Sequence, residues 1–259
     1  MHKIVTPISH LFKDRLQAEE IILNSDYLEC RDHSIYTEVL MQTVFHCELQ
    51  PCHKLEESDF VYLEKIQKEK SNLELVSFHL ASSCHSPILV DGVFQPNGYN
   101  YSKIELLQNA KINFKRIKKI FGKNVFLAIE NNNFYPTLAY HYITEPSFIS
   151  ELVISNEINF LFDIAHAKIS AFNKGLTYEE YKKDLPLSKT IQLHICKSAI
   201  KNQLAYDAHF MPDDYEWSEV VSLLEAYVNI KYLTIEYYHD FNGLIISLKK
   251  LKKILLNNA

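Results

Sequence analysis

Short runs of β-branched and aromatic residues alternate along this chain with stretches whose apolar positions recur every three to four residues. The runs are 4–8, 27–30, 43–49, 75–80, 125–129, 159–164, 191–195 and 232–237. Several are apolar at nearly every position, the pattern of strands buried on both faces of a parallel sheet. Helical periodicity fills the intervals at 13–23, 58–70, 103–121, 145–155, 177–184, 217–228 and 241–256, while the gap between Cys30 and Thr43 holds only a short helical stretch. Start signals mark several helices: Ser58 before Asp59, Ser102 as a cap, and Pro146 in the first turn after Thr144 and Glu145. Eight strands alternating with helices predict βαβ order throughout, and a single (β/α)8 barrel is its simplest closed form. A doubly wound open sheet is the competing arrangement, but the glycine-rich first turn of that fold is absent. The longest irregular stretch, 82–101, carries Pro87, Gly92, Pro96 and Gly98 and follows a strand. In a barrel it would lie over the mouth as a lid or substrate loop.

Composition narrows the class. The chain has 259 residues, 47% of them hydrophobic and 23% charged, with a formal net charge of −5, the profile of a soluble globular protein. That length suits one barrel domain spanning 1–259. Glycine is scarce at 5, and neither GxGxxG nor a Walker-type loop occurs. No apolar run reaches the length of a membrane span, and Met1-His2-Lys3-Ile4 does not open a signal peptide. The five cysteines form no CxxC pair, which points to a reducing, cytoplasmic setting. The acidic balance disfavours nucleic acid as the main partner. Lys249, Lys250, Lys252 and Lys253 read as the solvated face of the last helix.

Twelve histidines are an excess for this length, and their placement is informative. Six successive runs deliver His, Asp or Glu at or near their C-terminal ends: His46, His79, Glu130, Asp163 with His166, His194 followed by Asp207 and His209, and Glu236. In a barrel those ends converge on one mouth. A single histidine in an apolar strand is usually a hydrogen-bonded core residue. A carboxylate ending such a strand is harder to dismiss, because it is rarely buried without a partner. Five imidazoles and four carboxylates together need protons or cations between them. Mixed sets of this kind bind zinc, iron or manganese, and nine donors imply two or three ions. Glu29 and His33 follow the second run and either line the mouth or lie outside it. Cys196, two residues after His194, is read as a buried structural cysteine, with a pocket thiol as the second possibility. His2, His10, His53, His85 and His141 have no partner pattern, and His239 is expected at the surface or behind the ligands.

The motifs resemble a known family. Ser77-Phe78-His79-Leu80, Glu130-Asn131, the helix start Glu145-Pro146-Ser147-Phe148-Ile149, Phe162-Asp163-Ile164-Ala165-His166 with Asn173 and Gly175, Leu193-His194, Asp207-Ala208-His209 and Ile235-Glu236 are similar, in order and spacing, to those of the DUF692 (UPF0276) group. These are multinuclear non-haem iron-dependent oxidative enzymes, with the methanobactin biosynthesis enzyme as the best-known member. The resemblance implies a xylose-isomerase-like TIM barrel and O2-dependent modification of a ribosomally made precursor peptide at cysteine. It also allows for a separate leader-recognition protein. It implies two or three iron ions: His46, His79 and Glu130 on one; Glu130 as a bridge with Asp163, His194 and Glu236 on a second; His166, Asp207 and His209 on a third. Glu130, Asp163, His194 and Glu236 would be catalytic. Most of the family places Asn where this chain has His166, and the added imidazole makes the third site more zinc-like, with manganese also admitted. The ligand order is similar to endonuclease IV as well, so a zinc or manganese hydrolase is the alternative. A sugar isomerase on the same barrel and a non-catalytic metal-binding protein are the remaining readings.

Overall fold

A computed structural model describes residues 2–257. Eight parallel strands close into a barrel: β1 (Lys3–Pro7), β2 (Tyr27–Arg31), β3 (Gln42–Cys47), β4 (Leu75–Phe78), β7 (Phe126–Glu130), β8 (Asn159–Asp163), β9 (Thr190–Ile195) and β12 (Tyr232–Ile235). The first and last of these pair with each other, Val5 opposite Thr234. Two antiparallel hairpins, β5 (Ile88–Val90) with β6 (Val93–Gln95) and β10 (Lys197–Lys201) with β11 (Leu204–Phe210), stand after β4 and β9. The helices are α1 (Arg15–Leu23), α2 (Glu57–Glu69), α3 (Lys103–Phe121), α4 (Pro146–Ser155), α5 (Ile164–Lys174), α6 (Tyr178–Lys182), α7 (Asp214–Ala226) and α8 (Phe241–Asn257). This is the single (β/α)8 barrel expected. Among the described residues no helix is long and apolar enough to cross a membrane.

The period of two along each strand divides the core. Residues such as Ile4, Phe45, Phe78, Ile129, Phe162 and Ile235 face outward and pack with the helices. Val5, Val44, Leu75, Ala128, Leu161, Ile191 and Tyr232 form a separate apolar cluster inside the barrel. Two or four residues further along the same inner faces come the polar groups: Val44 leads to His46, Leu75 to Ser77 and His79, Ala128 to Glu130, Leu161 to Asp163, and Tyr232 to Thr234 and Glu236. The strand ends fall a little short of several apolar runs. β4 stops at Phe78 and β12 at Ile235, so His79 and Glu236 occupy the first position beyond their strands.

Three local features correct the expectations. Helix α5 is not predicted by periodicity, because Ile164, Ala165, Ala167, Ile169 and Ala171 are all buried, as is Ser170, and leave no clear polar stripe. Its start is fixed by Asp163, whose carboxylate accepts from the His166 backbone N–H at 2.7 Å, and its end by Gly175 at φ +71. The 82–101 stretch is not wholly irregular, since it contains the β5–β6 hairpin; the β10–β11 hairpin is likewise additional to the expected elements. Helix α2 is capped at Glu56 rather than Ser58, with Asp59 accepting from the Glu56 N–H at 2.7 Å. Ser102 and Pro146 hold the cap and first-turn positions expected of them, and the lysines of α8 are exposed.

Candidate metal centre

All nine residues singled out by the strand-end pattern come together at the C-terminal mouth. Glu130 lies at the centre. Its Oε2 is 3.4 Å from His46 Nε2 and 3.2 Å from His79 Nδ1, and its Oε1 is 3.0 Å from His194 Nδ1. Potential ligand atoms of His46, His79 and Glu130 lie within 4.8 Å of one another, and so do those of Glu130, Asp163, His194 and Glu236. Glu130 belongs to both sets. The third set gathers on Asp207, whose Oδ2 is 3.3 Å from His166 Nε2 and 3.2 Å from His209 Nε2. His166 comes from the first turn of α5, and Asp207 and His209 from the hairpin strand β11. His209 has φ +45, an uncommon backbone for a non-glycine residue.

The imidazoles are aimed by groups behind them. His166 Nδ1 lies 2.9 Å from the Asn131 carbonyl. A carbonyl only accepts, so Nδ1 carries the hydrogen and Nε2 presents its lone pair to Asp207. His194 Nε2 is 3.2 Å from Glu29 Oε2, which leaves its Nδ1 facing Glu130 and, at 3.3 Å, Glu236 Oε2. His46 Nδ1 is held 2.8 Å from Ser77 Oγ. Lone pairs thus point at carboxylate oxygens, an arrangement that needs a proton or a cation in between. Although close to Glu130, His194 Nδ1 makes no hydrogen bond, and neither does the buried Asp163 Oδ2. Orphaned buried polar atoms are rare. Two of them converging on one point, with each ring oriented from behind, is the arrangement that metal-ligating histidines show. The donor set fits zinc, iron or manganese.

Electrostatics carries the same signature. Burial pushes Asp163 up to about 8, with Glu236, Glu130 and Asp207 adding to it against the pull of His166. Burial opposes charge on His166 and His194, but the surrounding carboxylates outweigh it and raise both well above the ordinary histidine range. Burial and the adjacent His46 instead lower His79 to about 3. Without a metal, protons must take the place of cations here.

Residues outside the nine complete the site. Glu29, fully buried on β2, is held at about 2 despite burial, by His194 and Arg31. The Arg31 guanidinium bridges Glu29 at 2.8 Å and contacts Glu236. The strand-end pattern does not single out Arg31, yet its two-residue spacing from Glu29 puts both on the inner face. Gln192 Nε2 donates to Glu29 Oε2 at 2.9 Å and is likewise a supporting residue outside that pattern. His33 and His239 are exposed and take no part among the donors. Above the donors lies a cavity of about 430 Å³, lined also by Glu48, Gln50, Phe94 and Asn133.

Residues 51–252 match the family described as RiPP precursor modification enzyme MbnB/TglH/ChrH. The matched span contains every one of the nine donors except His46. A UPF0276 protein of Caulobacter vibrioides (strain NA1000 / CB15N) is 29% identical over 93 residues, covering 36% of this chain and 33% of that protein. The match to this curated relative therefore spans about a third of its length. Among solved structures, a D-tagatose 3-epimerase-like protein superposes with a TM-score of 0.63 at 17% identity, covering 98% of this chain and 97% of that one. A xylose isomerase-like TIM barrel protein from Mycobacterium smegmatis in complex with magnesium gives 0.59 at 8% identity, with 98% and 97% covered. At such identities the likeness shows the barrel alone.

Proposed function

The chain belongs to the MbnB/TglH/ChrH family of RiPP precursor modification enzymes, and from that premise we propose that it uses O2 to oxidise a ribosomally made, cysteine-containing precursor peptide at a multinuclear iron centre. The observation that carries this reading is the position of Glu130, one buried carboxylate facing ring nitrogens from the ends of three different strands at 3.0, 3.2 and 3.4 Å. Such a carboxylate is suited to bridge two ions. His46, His79 and Glu130 would hold one; Glu130, Asp163, His194 and Glu236 the second; His166, Asp207 and His209 a third. The iron pair would supply redox electrons for O2 chemistry and a seat for a substrate thiolate.

The chain's own contribution is positional. Ser77, Glu29 and Asn131 orient His46, His194 and His166, while Arg31 holds one oxygen of Glu236 and leaves the other facing His194. The cavity admits a side chain and a short length of backbone. Leader recognition then falls to another surface or to a separate protein. Five free, buried cysteines support a reducing, cytoplasmic setting for this work.

The test is anaerobic purification, quantification of iron, zinc and manganese, and Mössbauer spectroscopy, followed by oxygen-uptake and mass measurements with cysteine-containing peptides. Bound iron, oxygen consumption and a peptide mass change are expected. A protein holding only zinc, with no oxygen uptake beside thiol peptides, would sink this reading; cleavage of abasic DNA would put a metal-dependent hydrolase in its place.

A further inference from the structure

One buried sulfur borders the outer donor set. Cys196 follows β9 directly, is fully buried, and its thiol lies 3.8 Å from Asp207 Oδ1. Potential ligand atoms of Cys196, His209 and Glu236 all lie within 4.8 Å of one another. The His166 and His209 imidazoles approach the other oxygen of Asp207, Oδ2, at 3.3 Å and 3.2 Å. In a tetrahedral site with ligand bonds of about 2.0 Å to nitrogen or oxygen and about 2.3 Å to sulfur, neighbouring donors stand roughly 3.3 Å apart, or about 3.5 Å where one of them is sulfur. The two imidazole spacings on Asp207 lie close to that edge, and the thiol, at 3.8 Å on the other oxygen, stands slightly outside it.

A second cysteine–aspartate pair shows what is particular to Cys196. Cys47 Sγ also lies 3.8 Å from a carboxylate, Asp32 Oδ1, but that oxygen is taken by the Tyr62 hydroxyl at 2.6 Å, and Cys47 joins no metal-competent group among the described residues. Burial of a small thiol accounts for Cys47. It does not account for a thiol that stands beside Asp207 and shares a metal-competent group with His209 and Glu236.

We propose that Cys196 is a ligand of the outer ion, completing a Cys196–His166–Asp207–His209 set, and that this set takes zinc. The inference rests on the reading of the mouth as a metal centre and goes beyond it by naming a fourth donor and the outer metal. Among zinc, iron and manganese, a tetrahedral set of one thiolate with two imidazoles favours zinc. Four protein donors close the coordination sphere, as in structural zinc sites. The outer ion then has no redox part. It holds the β10–β11 hairpin against α5 and adds positive charge beside Glu236.

The test uses the intact protein loaded with cobalt(II) in place of zinc. A near-ultraviolet thiolate-to-cobalt charge-transfer band is expected, kept in C47S and lost in C196S. Affinity for one ion per chain should fall in C196S by more than about 100-fold, beyond the effect of removing a supporting group behind a ligand. Bound cobalt without that band, or a band that survives in C196S, would overturn the assignment while leaving the metal centre standing. No cobalt bound at all would remove both readings. If C196S does not fold, X-ray absorption at the zinc edge of the wild-type protein decides. A sulfur scatterer at about 2.3 Å is expected, and a shell of nitrogen and oxygen only overturns it.

Discussion

The floor and the mouth of this barrel are built by the same strands and obey opposite rules. At the floor, Val5, Val44, Leu75, Ala128, Leu161, Ile191 and Tyr232 fill the interior with apolar side chains. At the mouth, six of those seven strands carry, at or just beyond their ends, His46, His79, Glu130, Asp163, His194 and Glu236, crowded enough to leave Asp163 Oδ2 and His194 Nδ1 without hydrogen bonds. The floor is satisfied by packing, with the Tyr232 hydroxyl donating to Glu74 at 2.8 Å. The mouth is complete only when something positive occupies it. Stability and function are thus separated along the length of each strand, and the two ends should answer differently to perturbation.

The sharpest break is expected at Glu130. Replacement by Gln keeps its shape and removes the charge shared by two donor sets. Both ions of the proposed pair should leave together, with an affinity loss above about 100-fold and activity reduced to background. Metal analysis of the purified variant checks this; loss of one ion only would contradict the bridge. The floor should respond through stability instead. Leu75→Ala removes a fully buried side chain from the inner cluster and should lower unfolding free energy by about 2–5 kcal/mol. Its metal-to-protein ratio should stay that of the wild type. A floor variant that lost metal would dissolve the distinction.

How far the two ends are legible in the sequence follows from the same contrast. The period of two and the order of polar residues at strand ends suffice for the barrel and for bringing His46, His79, Glu130, Asp163, His166, His194, Asp207, His209 and Glu236 to one place. What the pattern does not isolate is the supporting layer. Arg31, Ser77, Asn131 and Gln192 are ordinary polar residues whose roles exist only through neighbours distant in the chain, such as Glu29 with Gln192. Helix α5 is illegible for a different reason. It is buried on nearly every side, and periodicity shows only where one face is wet.

Metal removal should expose the difference as heat stability. A ligand that binds only the folded state at a free concentration 100-fold above its Kd adds about 2.7 kcal/mol. For a chain of this size that amounts to roughly 5–11 °C in Tm. Chelation should therefore lower the wild-type Tm by about that amount, and Leu75→Ala by the same increment from its lower start. Differential scanning calorimetry of both proteins, with and without chelator, measures it. An unchanged wild-type Tm would mean that the mouth is already satisfied without ions.

The smallest effect concerns a buried histidine that has no part in the mouth. His53 donates from Nε2 to the Ser82 carbonyl at 2.7 Å, lies beside Tyr101 and faces His85. Burial lowers its pKa below the ordinary 6.5, with His85 adding to that and the Ser82 carbonyl opposing it. The sign follows from which state takes the proton first. As pH falls through 6.5, the unfolded chain is protonated before the folded one, so folding loses free energy, by at most about 1.4 kcal/mol per pH unit. His53→Asn abolishes this titration and leaves the mouth histidines in both proteins. The stability advantage of the metal-free wild type over the variant should shrink between about pH 7.5 and about pH 5.5, as read by urea unfolding. An advantage that grew instead would mean that His53 meets an anion on acidification and belongs with His166 and His194, whose carboxylate neighbours raise their affinity for protons.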